Sequence, residues 1–320
     1  MVSSFRYLKV NSAGKGITTE VYLSLTNFIL AHEKLHSVHK SFYSIIHRIK
    51  SNQRTNTSEF QNTKFVKFLG FKLILDPNEP HDYTFYTLSN QNKLYEDETS
   101  DILIDNLKKG DTFIDVGANN GYFSLLASTL VGEKGRVFAF EPNPRAINKL
   151  KKSIKLNKFK NIKAFNIALG SRNTIKKLYF STIEDGLNSF VNKQDTKGFI
   201  KSQIKKLDSL NIKNKIDFIK IDVEGYELDV LKGSKRVLMY NNPIIIFEYN
   251  PGITGVYEHF NEIIKFLDLL GFEVHNITPQ GLSARIESVK DLLYRQTNLL
   301  AYKKGLVIRR ARIPRLLSRG

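Results

Sequence analysis

Acidic and glycine residues follow an apolar strand pattern at a spacing that suits the binding of a nucleotide-like cofactor. The segment DTFIDVGANNGYFSLLAS (residues 111–128) combines a short apolar strand, an acid at its end, a loop of small residues and an apolar helix. In that loop, Gly117 and Gly121 would let the backbone approach a ligand closely, while Asp115 and Asn119 offer polar contacts. Because ligands of open α/β sheets bind beyond the carboxyl ends of strands, the segment predicts a cofactor site.

The same loop discriminates between classes of cofactor. The dinucleotide-binding pattern G-x-G-x-x-G has a glycine where this chain has Asn119, and its backbone amides hold a pyrophosphate. Here the loop begins with Asp115, an acid that suits a cation better. S-adenosylmethionine carries a sulfonium and an ammonium group, and Glu141, at the end of the next predicted strand, could accept hydrogen bonds from both of its ribose hydroxyls. These residues favour S-adenosylmethionine as the cofactor.

A second pair of acids follows a later strand, in the segment KIDVEGYE (residues 220–227). Asp222 and Glu224 could bind the cofactor ammonium, position an acceptor hydroxyl or act as a general base. They could also simply stabilise the start of a helix. Glu248 and His259 are further candidates for the base, and an oxygen-rich metal site of Asp222, Glu224 and Glu248 is an open alternative. We predict that Asp222 and Glu224 are catalytic and that no metal is bound.

Alternating strands and helices must position these acids. From residue 96 onward the pattern is typical of a mostly parallel sheet with helices on both faces. The predicted strands are residues 112–116, 137–141, 162–169, 218–223, 243–249, 272–277 and 298–303, and predicted helices start near residues 122, 143, 227 and 257. The long polar stretch 170–217, which contains EDGLNSF (residues 184–190), interrupts this alternation and predicts a lid or substrate insertion.

The two ends of the chain differ from its centre. Apolar residues spaced alternately four and three apart predict a helix over residues 19–49, which could pair in a homodimer. The polar residues 51–62 predict a linker. We therefore divide the chain into a helical extension and linker (1–62), a catalytic domain (63–304) and a basic tail (305–320).

Charge and composition bound the partners and the compartment. Residues 1–60 contribute a net +5 and residues 303–320 a net +7 to the total of +18. Basic ends attract an anionic membrane surface or nucleic acid, and a solvated tail that only keeps the chain in solution is the other interpretation. We favour peripheral membrane contact through the tail. The chain has no cysteine, which excludes disulfides and a cysteine nucleophile. No apolar run approaches a membrane span and no secretory signal is visible, so we predict a cytoplasmic protein.

Several segments together closely resemble the FkbM family of S-adenosylmethionine-dependent methyltransferases. They are YEDET, DTFIDVGANNGYFSLLA, VFAFEPNPRAINKLKKSIKLN, NIALG, KKLDSL and IDFIKIDVEGYELDVLKG, and they span roughly residues 94–250. The resemblance implies a class I methyltransferase Rossmann-like fold with a mostly parallel seven-stranded sheet. It also implies O-methylation of a hydroxyl on a sugar, glycan, lipid or secondary metabolite. Membrane contact through the tail would also fit a lipid-linked acceptor.

The resemblance also implies roles for individual residues. Ala168 would lie near the adenine, and Glu98, in YEDET, would close the pocket. The remaining cofactor-binding residues implied by the likeness are Asp115, Gly117, Asn119, Gly121 and Glu141.

Two other functions stay open on the sequence alone. The basic composition is compatible with methylation of RNA, and the segment DVEG replaces the Asn/Asp-Pro-Pro-aromatic motif typical of base N-methylation. Cytosine C5 methylation needs a cysteine, so ribose 2′-O-methylation is the remaining nucleic-acid reaction. The second alternative is a non-catalytic module that only binds S-adenosylmethionine. We favour a small-molecule or glycan acceptor over nucleic acid.

Overall fold

The computed structural model describes residues 58–181, 190, 196–250, 257–279, 281–292 and 297–309. The chain divides into one compact unit of residues 1–54 and a second of residues 55–320, and every described residue belongs to the second. The predicted helix over residues 19–49 and the tail residues 310–320 lie outside the described ranges, and what was expected of them stays a prediction. No helix in those ranges is both long and apolar enough to cross a membrane.

Strands and helices alternate along most of the described chain. The strands are β1 Phe65–Phe68, β2 Phe71–Ile74, β3 Thr112–Val116, β4 Arg136–Phe140, β5 Ile162–Phe165, β6 Ala168–Leu169, β7 Thr174–Ser181, β8 Thr196–Lys205, β9 Phe218–Ile221, β10 Ile244–Tyr249, β11 Phe272–Thr278, β12 Gly281–Arg285 and β13 Thr297–Lys303. The α-helices are α1 Ser58–Asn62, α2 Pro80–Asn90, α3 Asp97–Asn106, α4 Tyr122–Val131, α5 Pro144–Asn157, α6 Glu227–Gly233, α7 Lys235–Asn241 and α8 Tyr257–Leu269.

The central sheet has the strand order β12-β11-β13-β10-β9-β3-β4-β5. The strands from β10 to β5 run parallel, and β13, β11 and β12 continue the sheet in antiparallel pairs. The predicted α/β fold with a mostly parallel sheet is therefore confirmed. The sheet has eight strands rather than seven, because β12 pairs with β11 at the edge.

Helices cover both faces of this sheet. Successive side chains of a strand point to opposite faces, and in β3 the neighbours Phe113 and Ile114 are both fully buried. Phe113 packs in the core that includes α2 to α5, while Ile114 packs with residues of α6, α7 and α8. This arrangement places the carboxyl ends of β3, β4, β9 and β10 at one edge of the sheet.

The strand expected over residues 162–169 is two strands that belong to different sheets. β5 lies in the central sheet, whereas β6 pairs with β8 in a separate three-stranded sheet of order β6-β8-β7. Between them, the Asn166 side chain donates hydrogen bonds to the carbonyl oxygens of Glu141 and Pro142, both at 2.9 Å. These bonds hold the chain beside the end of β4 while it turns from one sheet to the other.

The stretch predicted as a lid or insertion contains a long antiparallel hairpin of β7 and β8. Its apolar side chains lie in two environments, since Leu178 and Ile204 are buried while Ile175 and Phe199 are exposed. Most of EDGLNSF lies outside the described residues, and only its last residue, Phe190, is described.

The expected linker over residues 51–62 ends in structure. Residues 58–62 form helix α1, and its Phe60 is fully buried. The Phe60 ring lies 5.2 Å from Tyr83 and 5.3 Å from Tyr86 between ring centroids. One aromatic residue within a polar segment is therefore enough to anchor the last turn against α2.

Candidate active site

A cavity of about 240 Å³ lies at the carboxyl ends of the parallel strands. Glu248 of β10 and the segments after β3, β4 and β9 form its floor, and residues before α3 and from the smaller sheet contribute to its walls. Of the sequence-predicted residues, its lining includes Gly117, Asn119, Glu141, Ala168, Asp222, Glu224 and Glu248. The structure therefore brings most of the predicted residues together at the ends of the strands, as expected.

Glu141 is held rigidly at the end of β4. Its Oε2 accepts a hydrogen bond from the Asn119 backbone amide and its Oε1 accepts one from the Asn143 amide, both at 2.8 Å. Burial raises the pKa of this carboxyl to about 7, against the two backbone amides that lower it. A buried, oriented carboxylate on a cavity wall matches what the ribose hydroxyls of a nucleoside cofactor require.

Gly117 is required by the close approach of two chain segments. Its φ is +82°, and a Cβ placed there would lie 1.8 Å from the backbone oxygen of Asp222. The loop after β3 therefore packs directly on the loop after β9, which sets the floor of the cavity. Gly117 lines the cavity, and its place beside a ligand stays a prediction.

Gly121 has a different role from the predicted one. It does not line the cavity formed by the described residues. Its φ is +92°, and a Cβ there would lie 2.2 Å from the Leu150 side chain in α5. Gly121 therefore allows α4 and α5 to pack closely, rather than allowing a ligand to approach.

Asp115 lies beneath the cavity rather than on its wall. It is fully buried at the end of β3, and its Oδ2 accepts a 2.6 Å hydrogen bond from the Ser124 hydroxyl. Its Oδ1 has no hydrogen-bond partner among the described residues. Burial raises the pKa of Asp115. Asp115 therefore presents no surface to the cavity through which it could contact a cofactor directly, as was predicted for it.

Asp222 forms an ion pair that the sequence did not indicate. Its Oδ2 lies 2.8 Å from the Nζ of Lys220, whose side chain is 3% exposed. Burial alone would raise the pKa of Asp222, but the Lys220 ammonium outweighs it and holds that pKa below its ordinary value. Asp222 is therefore an ionised carboxylate in the lining of the cavity.

Two further carboxylates lie beside Asp222. Oxygen atoms of Asp222, Glu224 and Glu248 all lie within 4.8 Å of one another. Glu224 has a left-handed backbone conformation with φ +53° and is followed by Gly225 at φ +96°, so the chain turns sharply after β9. The group is compact enough to contact a single small cation, and the Lys220 ammonium already supplies one positive charge to it.

The acid of YEDET on the cavity wall is Glu96, not the predicted Glu98. Glu96 precedes α3 with φ +44°, and its Oε2 accepts a 2.9 Å hydrogen bond from the Asn298 side chain. Glu98 lies in the first turn of α3 and does not line the cavity. The left-handed turn at Glu96, which the sequence pattern does not reveal, directs the earlier acid inward.

His259 is separate from these carboxylates. It lies in α8 and does not line the cavity formed by the described residues. Burial lowers its pKa. The geometry therefore gives no support to His259 as the base.

Tyr226 and Phe190 form an aromatic wall of the cavity. Tyr226 packs against Phe190 at 5.3 Å between ring centroids, and its hydroxyl accepts a 2.8 Å hydrogen bond from the Lys176 Nζ. Ala168 lies in the same wall and is buried. Sequence reasoning missed Lys220, Glu96 and this aromatic pair. The quoted segments contain all four residues, but nothing in the sequence distinguishes them from their neighbours.

Comparison with known proteins points to one family. The family model described as the methyltransferase FkbM domain matches residues 115–274. Among curated proteins, the chain is 28% identical over 161 residues to the hexuronic acid methyltransferase AglP of Haloferax volcanii. That alignment covers 49% of this chain and 64% of the relative, so the chain spans just under two thirds of its length.

The solved structures that match the chain are less similar in sequence than this relative. A structure described as a putative rRNA methylase from Clostridium thermocellum is 16% identical, covers 64% of this chain and 93% of its own, and has a TM-score of 0.42. The methyltransferase FkbM from Methylobacillus flagellatus is 16% identical, covers 60% of this chain and 43% of its own, and has a TM-score of 0.40.

Proposed function

Because the chain belongs to the FkbM methyltransferase family, we propose that it transfers a methyl group from S-adenosylmethionine to a hydroxyl oxygen. The acceptor we propose is a sugar or glycan, free or lipid-linked. The observation that carries this proposal is the position of Asp222, an ionised carboxylate that shares one cavity with the ribose-binding candidate Glu141. The curated hexuronic acid methyltransferase supports the sugar class.

The residues divide into a cofactor side and an acceptor side. Glu141, with Asn119 beside it, would hold the ribose hydroxyls, and the wall of Ala168 and Tyr226 would contact the adenine. When bound, S-adenosylmethionine supplies an electrophilic methyl group on a good leaving group. What the protein must add is alignment of the acceptor and removal of its proton. Asp222 is the residue placed to take that proton, and Glu224 and Glu248 would orient the acceptor hydroxyl.

Cofactor binding tests the first half of this proposal. Isothermal titration calorimetry should show binding of S-adenosylmethionine and no binding of NAD. Glu141→Ala should weaken S-adenosylmethionine binding by about 1–3 kcal/mol, because a charge-assisted hydrogen bond to the ribose is lost. The exposed Glu133→Gln is the matched control and should bind normally. Tight NAD binding without S-adenosylmethionine binding would refute the assignment.

The pH dependence of binding follows from the pKa of Glu141. Because burial raises that pKa from 4.5 to about 7, the carboxylate becomes fully ionised only above that value. Affinity for S-adenosylmethionine should therefore rise from pH 6 to pH 8, and this rise should be absent in Glu141→Gln. In the cofactor-free protein the sign is opposite: the contribution of Glu141 to stability is present below pH 4.5 and is lost as the pH rises through about 7.

Methyl transfer tests the second half. Tritiated S-adenosylmethionine should label at least one of the methyl glycosides of glucose, galactose, N-acetylglucosamine and glucuronic acid. An RNA oligonucleotide serves as the competing acceptor. Labelling of the RNA alone would replace the glycan assignment with ribose methylation, and binding without transfer to any acceptor would favour a non-catalytic module.

We further propose that the tail brings the enzyme to an anionic membrane surface, which would suit a lipid-linked acceptor. Residues 310–320 contain four arginines together with Ile313, Leu316 and Leu317, and no acid. Basic residues near an anionic surface contribute roughly 1 kcal/mol each. Arg309 is the natural limit for truncation, because its backbone amide and carbonyl both hydrogen bond to the Asn106 side chain.

Co-sedimentation with phosphatidylserine vesicles at low salt tests this contact. The full chain should pellet, and both a 1–309 truncation and a variant with the four tail arginines changed to glutamine should stay largely in solution. Equal, negligible pelleting of all three proteins would refute membrane contact. A homodimer through residues 19–49 is a separate proposal that sedimentation equilibrium of the full chain can test.

A further inference from the structure

A buried lysine occupies the centre of the parallel sheet. Lys220 lies in β9 between β3 and β10, and it is 2% exposed while the other residues of this strand are apolar. An ammonium group is almost never fully buried unless it is paired, because its desolvation is costly. Lys220 therefore needs compensation from its surroundings.

Lys220 receives that compensation from acids on three different elements. Its Nζ lies 2.8 Å from Asp222 Oδ2. Asp115 stands opposite Lys220 in the register between β3 and β9, and Glu96 approaches from the start of α3, since both carboxylates act electrostatically on the lysine. The Nζ also lies 4.5 Å from the centroid of the Phe123 ring in α4. One ammonium thus links the strand ends that form the floor of the cavity.

We propose that Lys220 is a positioning residue that holds Asp222 for catalysis. By holding Oδ2, Lys220 fixes the orientation of the Asp222 carboxylate, which also hydrogen bonds to the Glu248 side chain in the lining of the cavity. This inference rests on the proposed function, in which Asp222 takes the acceptor proton. It assigns to Lys220 no contact with substrate or cofactor, because Lys220 does not line the cavity.

A purely structural ion pair would affect the stability of the protein without a selective loss of kcat. Replacing both members of a buried pair by apolar residues is often neutral for stability, whereas removing one member is strongly destabilising, so stability alone does not separate the two roles and turnover must be measured. The molecule offers a matched control in Lys149, whose Nζ lies 2.7 Å from the buried Asp82 in a pair of which neither member lines the cavity. Lys149→Met removes the same kind of interaction without touching Asp222.

A double-mutant cycle on the full chain tests the proposal. It uses Lys220→Met, Asp222→Asn and their combination, with turnover measured on whichever methyl glycoside the wild type labels. Lys220→Met should lower kcat about tenfold or more with little change in KM, and the affinity for S-adenosylhomocysteine should change less than about threefold. In the Asp222→Asn background, Lys220→Met should have no further effect, because both changes remove the same function. Lys220→Arg should restore part of kcat, and Lys149→Met should leave it unchanged.

Two outcomes would overturn the proposal. One is an additive loss, in which Lys220→Met lowers kcat by the same factor with and without Asp222→Asn. The other is a crystal structure of Lys220→Met with S-adenosylhomocysteine in which the Asp222 carboxylate has not moved. If Lys220→Met alone does not fold, the kcat of Asp222→Asn is compared with that of the double variant Lys220→Met/Asp222→Asn, which removes both charges together. Equal kcat values support the proposal, and a further loss in the double variant contradicts it.

A failure of the proposed function can be distinguished from a failure of the role assigned to Lys220. If the wild type labels none of the acceptors, the proposed function fails, and the position of Asp222 in the variant crystal structure still decides the role of Lys220. If Lys220→Met does not fold, the crystal structure is determined for Lys220→Met/Asp115→Asn instead. This double variant also removes the charge of Asp115, one of the acids that compensate Lys220. If the wild type is active and the losses are additive, only the role of Lys220 fails.

Discussion

Replacing Asp222 with asparagine should lower the turnover number at least about 100-fold while the protein stays folded and binds its cofactor. The loss of a positioned general base has this magnitude. The amide keeps the size of the side chain and can still contact Lys220, so a drop in turnover reports the loss of proton acceptance. Single-turnover labelling with tritiated S-adenosylmethionine measures the chemical step, and calorimetry with S-adenosylhomocysteine measures cofactor binding.

Two neighbouring acids provide the comparison for Asp222. Glu224→Gln should have a smaller effect if Glu224 only orients the acceptor. Asp229 lies in α6, where its carboxylate accepts a hydrogen bond from the Ser171 hydroxyl outside the cavity. The variant Asp229→Asn should leave turnover unchanged. Normal turnover in the double variant Asp222→Asn/Glu224→Gln would remove both residues from the mechanism.

The acids at the strand ends could be predicted because one rule of α/β architecture decides their position. Residues that follow parallel strands meet at the same edge of the sheet, so Glu141 and Asp222, separated widely along the chain, both reach the cavity. The rule needs only the approximate ends of the strands. It tolerated boundaries that were wrong by one or two residues, as at the predicted strand 218–223, which ends at Ile221.

Features that depend on a single backbone turn could not be predicted in the same way. Glu96 and Glu98 lie two residues apart and have the same chemistry, and only the left-handed conformation at Glu96 decides which of them enters the cavity. In the same way, the sequence of β5 and β6 predicted one continuous strand over residues 162–169. Their separation is fixed by the side chain of Asn166, whose partners lie at the end of a different strand.

Lys220 shows a third limit, which is that an interaction needs both partners. In the segment KIDVEG a lysine at the start of the pattern gives no sign of being buried. Its burial follows from the central position of β9, with β3 on one side and β10 on the other. Its charge is tolerated because Asp115, Asp222 and Glu96 come from three separate elements. Only the assembled sheet reveals that these four groups form one network.

Gly117 should be the glycine of the cofactor loop that tolerates substitution least. In Gly117→Ala the new Cβ would lie 1.8 Å from the backbone oxygen of Asp222, which cannot rotate away as a side chain could. Relief would require the loops after β3 and β9 to separate, and this would open the floor of the cavity. We expect the free energy of unfolding to fall by at least about 3 kcal/mol, the range of severe steric and backbone effects, together with loss of S-adenosylmethionine binding.

Gly110→Ala separates this steric effect from backbone strain. Gly110 has a similar positive φ of +95°, but no described heavy atom lies within 4 Å of the position of its Cβ. Its substitution should therefore cost only the strain of a left-handed alanine, roughly 1–2 kcal/mol, and cofactor binding should persist. Urea denaturation followed by circular dichroism measures both stabilities, and calorimetry measures binding. Equal destabilisation of the two variants would mean that contact with Asp222 is not what makes glycine necessary at position 117, and that the loop after β3 can move independently of the acids it supports.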